Sequence, residues 1–136
     1  MSPFQYRRLA PDEADRAYIL AHMADARLSQ ADWRAVVASD PDDGGVIAAV
    51  SRDQVRAILA YSIAVTPAGE RQFIVETLVA FDLLHPESLV DHLVAAACDL
   101  AREGCSAIGL STRLDAPGRD AVMRQIAAAA VLHRVI

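Results

Sequence analysis

Glu76 is the only charged residue in "QFIVETLVAF", residues 72–81. The segment reads as a strand covered on both faces. A carboxylate there has two uses. It can pair across the sheet with an arginine such as Arg71 or Arg56. Alternatively, partial burial raises its pKa and suits it to be a general base. Other chemically capable residues form less specific patterns. His85 and His92, with Glu87 and Asp91, gather around a predicted helix start, but the spacing is not that of a HExxH metal site. They read as a solvated helix end. Asp40, Asp42 and Asp43 precede Gly44 without the full calcium-loop pattern, and read as a solvated turn. Ser111 and Thr112 lack a G-x-S-x-G elbow. Cys98 and Cys105 lack a CxxC pattern and read as reduced, partly buried thiols. His22 and His133 are isolated. No metal site is expected.

The elements that must position Glu76 follow from the pattern of apolar residues. "FQYRRL", residues 4–9, alternates as a strand. Pro11, Asp12 and Glu13 suit a helix start. Ala14, Ala17, Tyr18 and Ala21, continued by Met23 or Ala24, make its apolar face. Ser29 caps a second short helix, with Asp32 in the capping-box position and Trp33, Val36 and Val37 facing inward. "DPDDGG" is a turn. Strands follow at 46–51 and 55–65, joined by a two-residue hairpin loop, and then at 72–81. Pro86 and Glu87 open a third helix, with Leu89, Val90, Leu93, Val94, Ala97, Leu100 and Ala101 at helical spacing, and Gly104 stops it. A strand at 106–113, a helix with Val122, Met123 and Ile126 apolar, and a terminal strand "VLHRVI" complete the chain. This is an α/β domain: a mixed sheet of about six strands with helices on both faces.

The 136 residues fit one domain, spanning 1–136. The net charge is -5 and all 13 basic residues are arginine, which argues against non-specific nucleic-acid binding. The first residues have no apolar secretory core, and no run is long enough for a membrane span, so a cytoplasmic protein is expected.

Two long segments carry a resemblance. "YRRLAPDEADRAYIL" and "IVETLVAFDLLHPESLVDHLVAAACDLAREGCSAIGLSTR" resemble the opening and the core motif of the GNAT superfamily of acyl-CoA-dependent N-acyltransferases. The likeness extends over nearly the whole chain. It implies a GNAT-like fold in which the fourth and fifth strands are parallel, adjacent near their start and splayed at their C-terminal ends. It implies acetyl-CoA as cofactor and an amine, on a small molecule or a protein, as acceptor. Glu76 lies where some members carry a glutamate that serves as general base. Leu78 and Val79 fall on the strand that holds the pantetheine arm. His85, Ser88, Leu89 and Val90 fall on the pyrophosphate loop and the helix that follows.

That loop departs from the family pattern. "LLHPESLV" places His85 at the arginine-like position and Pro86, Ser88 and Val90 where glycine is usual. Pyrophosphate needs backbone N–H groups converging at a helix start. Pro86 lacks an N–H, Glu87 adds negative charge, and side chains at Ser88 and Val90 occupy space the phosphates need. His85 is cationic only when protonated. Cofactor binding is therefore expected to be weak. The last helix also lacks the family's tyrosine acid. A divergent acyltransferase with reduced or lost activity is one expectation, and a non-catalytic GNAT-like binding or dimerisation module the alternative. An apolar terminal strand is a template for edge pairing, so a homodimer is the expected assembly.

Overall fold

The computed structural model describes residues 4–52, 54–80 and 86–129. Five strands form one mixed sheet in sequence order: β1 (Gln5–Arg8), β2 (Gly44–Ser51), β3 (Gln54–Val65), β4 (Arg71–Ala80) and β5 (Ala107–Leu110). The first four pair antiparallel, and β5 runs parallel to β4. Helices α1 (Ala14–Ala24) and α2 (Gln30–Val37) pack on one face, and α3 (Pro86–Gly104) and α4 (Ala116–Ala129) on the other. The architecture is the mixed α/β sheet expected, with five strands among the described residues. The expected terminal strand, 131–136, lies outside them.

Strand alternation sorts the apolar residues into two cores. Ile47, Ala49, Leu59, Tyr61, Phe73 and Val75 meet Leu93, Val94 and Ala97 of α3 and Val122 of α4. Val46, Ala48, Ile58 and Ala60 meet Ala17, Leu20 and Ala21 of α1 and Trp33 and Val37 of α2. Burial on both sides explains why β2 to β4 read as nearly continuous apolar runs. Leu20, rather than Met23 or Ala24, completes the buried stripe of α1. Met23 and Ala24 are exposed.

Local chemistry fixes the joints. Ser29 Oγ accepts from the Asp32 N–H at 3.0 Å, as the capping pattern predicts. Trp33 Nε1 donates to the Ala14 carbonyl at 2.7 Å, tying α2 to the start of α1. Pro11 starts a 3-10 turn, Pro11–Glu13, ahead of α1. The Glu13 carboxylate takes both Arg7 Nη groups at 2.7 Å and the Ala10 N–H at 3.0 Å. Gly44 enters β2 with φ +150°, and a Cβ there would lie 2.6 Å from the Tyr61 carbonyl oxygen. Only glycine fits that approach.

β5 is shorter than the 106–113 strand expected. Leu114 N donates to Ser111 O, and Ser111 Oγ accepts from Arg113 N, so the chain turns immediately after Leu110. Among the described residues, no helix is long and apolar enough to cross a membrane.

Candidate functional site

β4 outruns its parallel partner. Gln72 to Val75 pair with Ala107 to Leu110, and Ser111 N donates to the Val75 carbonyl at 2.9 Å. Beyond that point, among the described residues, Thr77 to Ala80 pair with β3 alone. The parting expected of the fourth and fifth strands is thus present. It opens a cleft of about 870 Å³. Thr77, Leu78, Val79 and Ala80 form one wall, Val90 of α3 borders it, and Leu114, Pro117 and Gly118 form the opposite wall. Met23 and Ala24 at the end of α1, with Asp25 and Arg27 beyond it, complete the rim.

The strand changes phase at this point. Ala60 pairs with Thr77 and Tyr61 with Val75, leaving Glu76 as an extra residue on β4, a β-bulge. Phe73 and Val75 face α3, yet Leu78 and Ala80 pack on that same side after the bulge. Glu76 is half-buried, and its Oε1 accepts from Ser62 Oγ at 2.9 Å. Ser62 continues the face of Ile58 and Ala60, which α1 and α2 cover. Neither arginine considered for Glu76 engages it among the described residues: Arg71 reaches Asp42 Oδ1 at 3.4 Å instead.

Among the described residues, two cations and two anions line the cleft. Asp115 Oδ1 accepts from the Gly118 N–H at 2.9 Å, and Asp25 Oδ1 from the Arg27 N–H at 3.0 Å. Both carboxylates are thus engaged by backbone. No carboxylate among the described residues lies within ion-pair distance of Arg27 or Arg113. These two guanidiniums are cationic groups of the cleft among the described residues, and the sequence reading did not single them out. Arg113 is recognisable only once β5 is known to end at Leu110.

Of the residues singled out as cofactor contacts, Leu78, Val79 and Val90 line the cleft. Leu89 is buried in the core beneath the sheet. Ser88 falls in the first turn of α3, and His85 lies outside the described residues. His92 stacks on Tyr6, ring centroids 5.7 Å apart. Among the described residues, no group of three His, Cys, Asp or Glu gathers as a metal site would require. Cys98 and Cys105 are free thiols, and burial pushes the pKa of each up.

No protein-family model and no curated protein matches the sequence. Solved structures match its shape. Ribosomal-protein-alanine N-acetyltransferase from Brucella melitensis biovar Abortus 2308 superposes with a TM-score of 0.70 at 13% identity, over 96% of this chain and 93% of that one. Glucosamine-6-phosphate N-acetyltransferase from Arabidopsis thaliana gives 0.70 at 14% identity, over 90% and 89%. An aminoglycoside N-acetyltransferase in complex with CoA gives 0.67 at 12% identity, over 98% and 91%. The chain has the GNAT fold. At these identities the likeness is one of architecture, and chemistry has to be argued from the site itself.

Proposed function

We propose that this chain binds an acyl-CoA in the cleft between β4 and β5 and transfers its acyl group to an amine, with Glu76 as general base. The observation that carries the reading is the coincidence of two breaks in β4. The strand leaves β5 after Val75, and the bulge sets Glu76 at that same point.

The residues present fit the pantetheine part of the cofactor. Thr77 to Ala80 offer backbone N–H and C=O groups on the side that β5 has left, and Leu78, Val79 and Leu114 supply apolar walls. Arg27 and Arg113 suit its phosphates. The fit at the head of α3 is poorer, because Pro86 removes one of the first-turn N–H donors. When bound, an acyl-CoA supplies the activated thioester carbonyl. Glu76 holds one carboxylate oxygen against Ser62 Oγ. Its Oε2 is then the atom that takes the proton from the acceptor amine. No tyrosine stands on α4 to act as an acid.

Calorimetric titration with acetyl-CoA and CoA tests the reading. Weak charge-assisted contacts in place of a glycine-rich cradle predict a Kd of about a millimolar. Replacing Pro86, Ser88 and Val90 with glycine and His85 with arginine should tighten binding. Absence of binding in both proteins sinks the cofactor assignment. Micromolar binding by the native chain sinks the reading of its loop. The second reading, a non-catalytic binding module on the same fold, is favoured by Pro86 at the head of α3. It predicts cofactor binding without acyl transfer to any of a panel of polyamines, aminosugars and peptide amines.

A further inference from the structure

We propose a second small-molecule site at the opposite end of β4, which takes a small organic acid, a carboxylate on an apolar body. A cavity of about 530 Å³ lies there between the sheet and the last turns of α3, and it shares no lining residue with the cleft. Its size falls within the usual range for ligand pockets, roughly 300–1,000 Å³. Phe73 and Leu78 mark the two sites on β4, roughly 17 Å apart at the rise of an extended strand.

The inner wall is apolar. Tyr61 and Phe73 stack with centroids 4.4 Å apart and planes 15° from parallel, beside Ile47 and Ile63. Arg8 supplies the charge. Its Nη1 donates to the Tyr61 hydroxyl at 2.8 Å and its Nη2 to the Ser39 carbonyl. Both partners are neutral, and a guanidinium has further N–H donors to offer. The other cations of the lining already hold carboxylates: Arg7 is bidentate with Glu13, and Arg71 reaches Asp42. The fold makes room for Arg8, since a Cβ on Gly45 would sit 2.7 Å from its Cζ. The anionic groups are spoken for or solvated. Asp99 lies 3.6 Å from Arg102, and Glu103 is exposed at the rim, whereas Arg8 rests on Tyr61, which is 4% exposed. A planar carboxylate can meet the Arg8 fork while its body lies on the apolar wall.

Titration calorimetry of the whole chain with benzoate, benzamide and benzylamine tests this. Benzoate should bind, and its neutral and cationic analogues should bind at least about tenfold more weakly, the ratio expected for one charge-assisted contact. Arg8→Gln should abolish the preference for the anion. Ala96→Phe fills the cavity from a partly buried position on α3 and should remove benzoate binding while leaving acetyl-CoA titration unchanged. Benzoate should also slow alkylation of Cys105, which lines the cavity. Equal binding of the three probes overturns the proposal. So does absence of benzoate binding, or benzoate binding that survives Ala96→Phe.

Discussion

Among the described residues of β4, Gln72 to Val75 are paired on both sides, with β3 and with β5, whereas Thr77 to Ala80 keep only β3. The same strand thus has a closed end and an open end. At the closed end Phe73 and Val75 are 1% exposed, and the strand is part of the core. At the open end Leu78, Val79 and Ala80 are half-buried and face the cleft. Strand-forming residues continue throughout, so the difference comes from the neighbour. β5 stops at Leu110 because Ser111 to Leu114 turn. Among the described residues, the turn after Leu110 leaves Thr77 to Ala80 with no strand on that side, and under the proposed function a ligand takes up the β4 backbone groups there.

Glu76 stands between the two ends, and its replacement should have the largest effect. If acyl transfer runs through it, Glu76→Gln should lower kcat by about 100- to 10,000-fold, the range for loss of a general acid or base. The amide keeps the shape and can still accept from Ser62, so thermal stability should change little. Steady-state rates with a responsive amine check this, and unchanged turnover in Glu76→Gln removes Glu76 from the chemistry.

The next largest effect separates the ends by stability. Phe73→Ala should cost about 3–5 kcal/mol, because it leaves a cavity in a core that cannot collapse around it. Leu78→Ala should cost roughly 1–2 kcal/mol, since that side chain is only half-buried. The order reverses for ligand: Leu78→Ala should weaken acetyl-CoA binding, while a folded conservative variant, Phe73→Leu, should not. Urea denaturation measures the first pair and calorimetry the second. Equal destabilisation by the two alanine variants would erase the distinction between a closed and an open end.

The closed end was more legible in the sequence than the open one. Continuous apolar runs, the "DPDD" turn, Ser29 and the Gly104 stop fix the elements, because they act through local backbone chemistry and burial. Glu76 is singled out by the GNAT resemblance, which places a general-base glutamate at its position on the fourth strand, but the bulge that sets it is not foreseen. Its trace is a change of phase, since Phe73 and Val75 are followed on the same face by Leu78 rather than Thr77. One polar residue inserted in an apolar run looks the same whether or not the ladder slips. The cleft cations Arg27 and Arg113 belong to loops, where side-chain placement depends on tertiary contacts that no periodicity encodes. Met23 and Ala24 illustrate the converse: helical spacing offers one or the other for the core, but both are exposed and border the cleft.

Acid should act on the Glu13–Arg7 pair that borders the closed end. The two guanidinium hydrogen bonds from Arg7 hold the Glu13 pKa at about 2, against the opposing effect of burial and with help from the Ala10 N–H. A carboxylate whose pKa is depressed by folding stabilises fully above its unfolded pKa and loses that contribution as pH falls through the folded value. The contribution of Glu13 should therefore be complete above pH 4.5 and fade toward pH 2. Allowing for the partial exposure of Arg7, it amounts to about 2 kcal/mol at neutral pH. Glu13→Gln should be less stable than the native chain by that amount at pH 7 and nearly equal to it at pH 2. A difference between the two proteins that stays constant across this range would mean that the pair is not what the carboxylate contributes.

The smallest effect expected is that of Ser62→Ala. Ser62 Oγ donates to Glu76 Oε1 at 2.9 Å across the bulge, and both side chains are half-buried. Water can replace the hydroxyl at such a site, so stability should fall by about 1 kcal/mol or less. If Glu76 is the base, this hydrogen bond fixes which carboxylate oxygen is left for the acceptor, and Ser62 is a positioning residue whose removal should appear in kcat, by roughly fivefold, with KM for the acyl donor unchanged. Ser62→Thr keeps the hydroxyl and should restore most of the rate. A fall in kcat matched by a loss of stability, with no rescue by threonine, would assign Ser62 to the packing of β3 against β4. The two breaks in the strand would then have to position Glu76 without it.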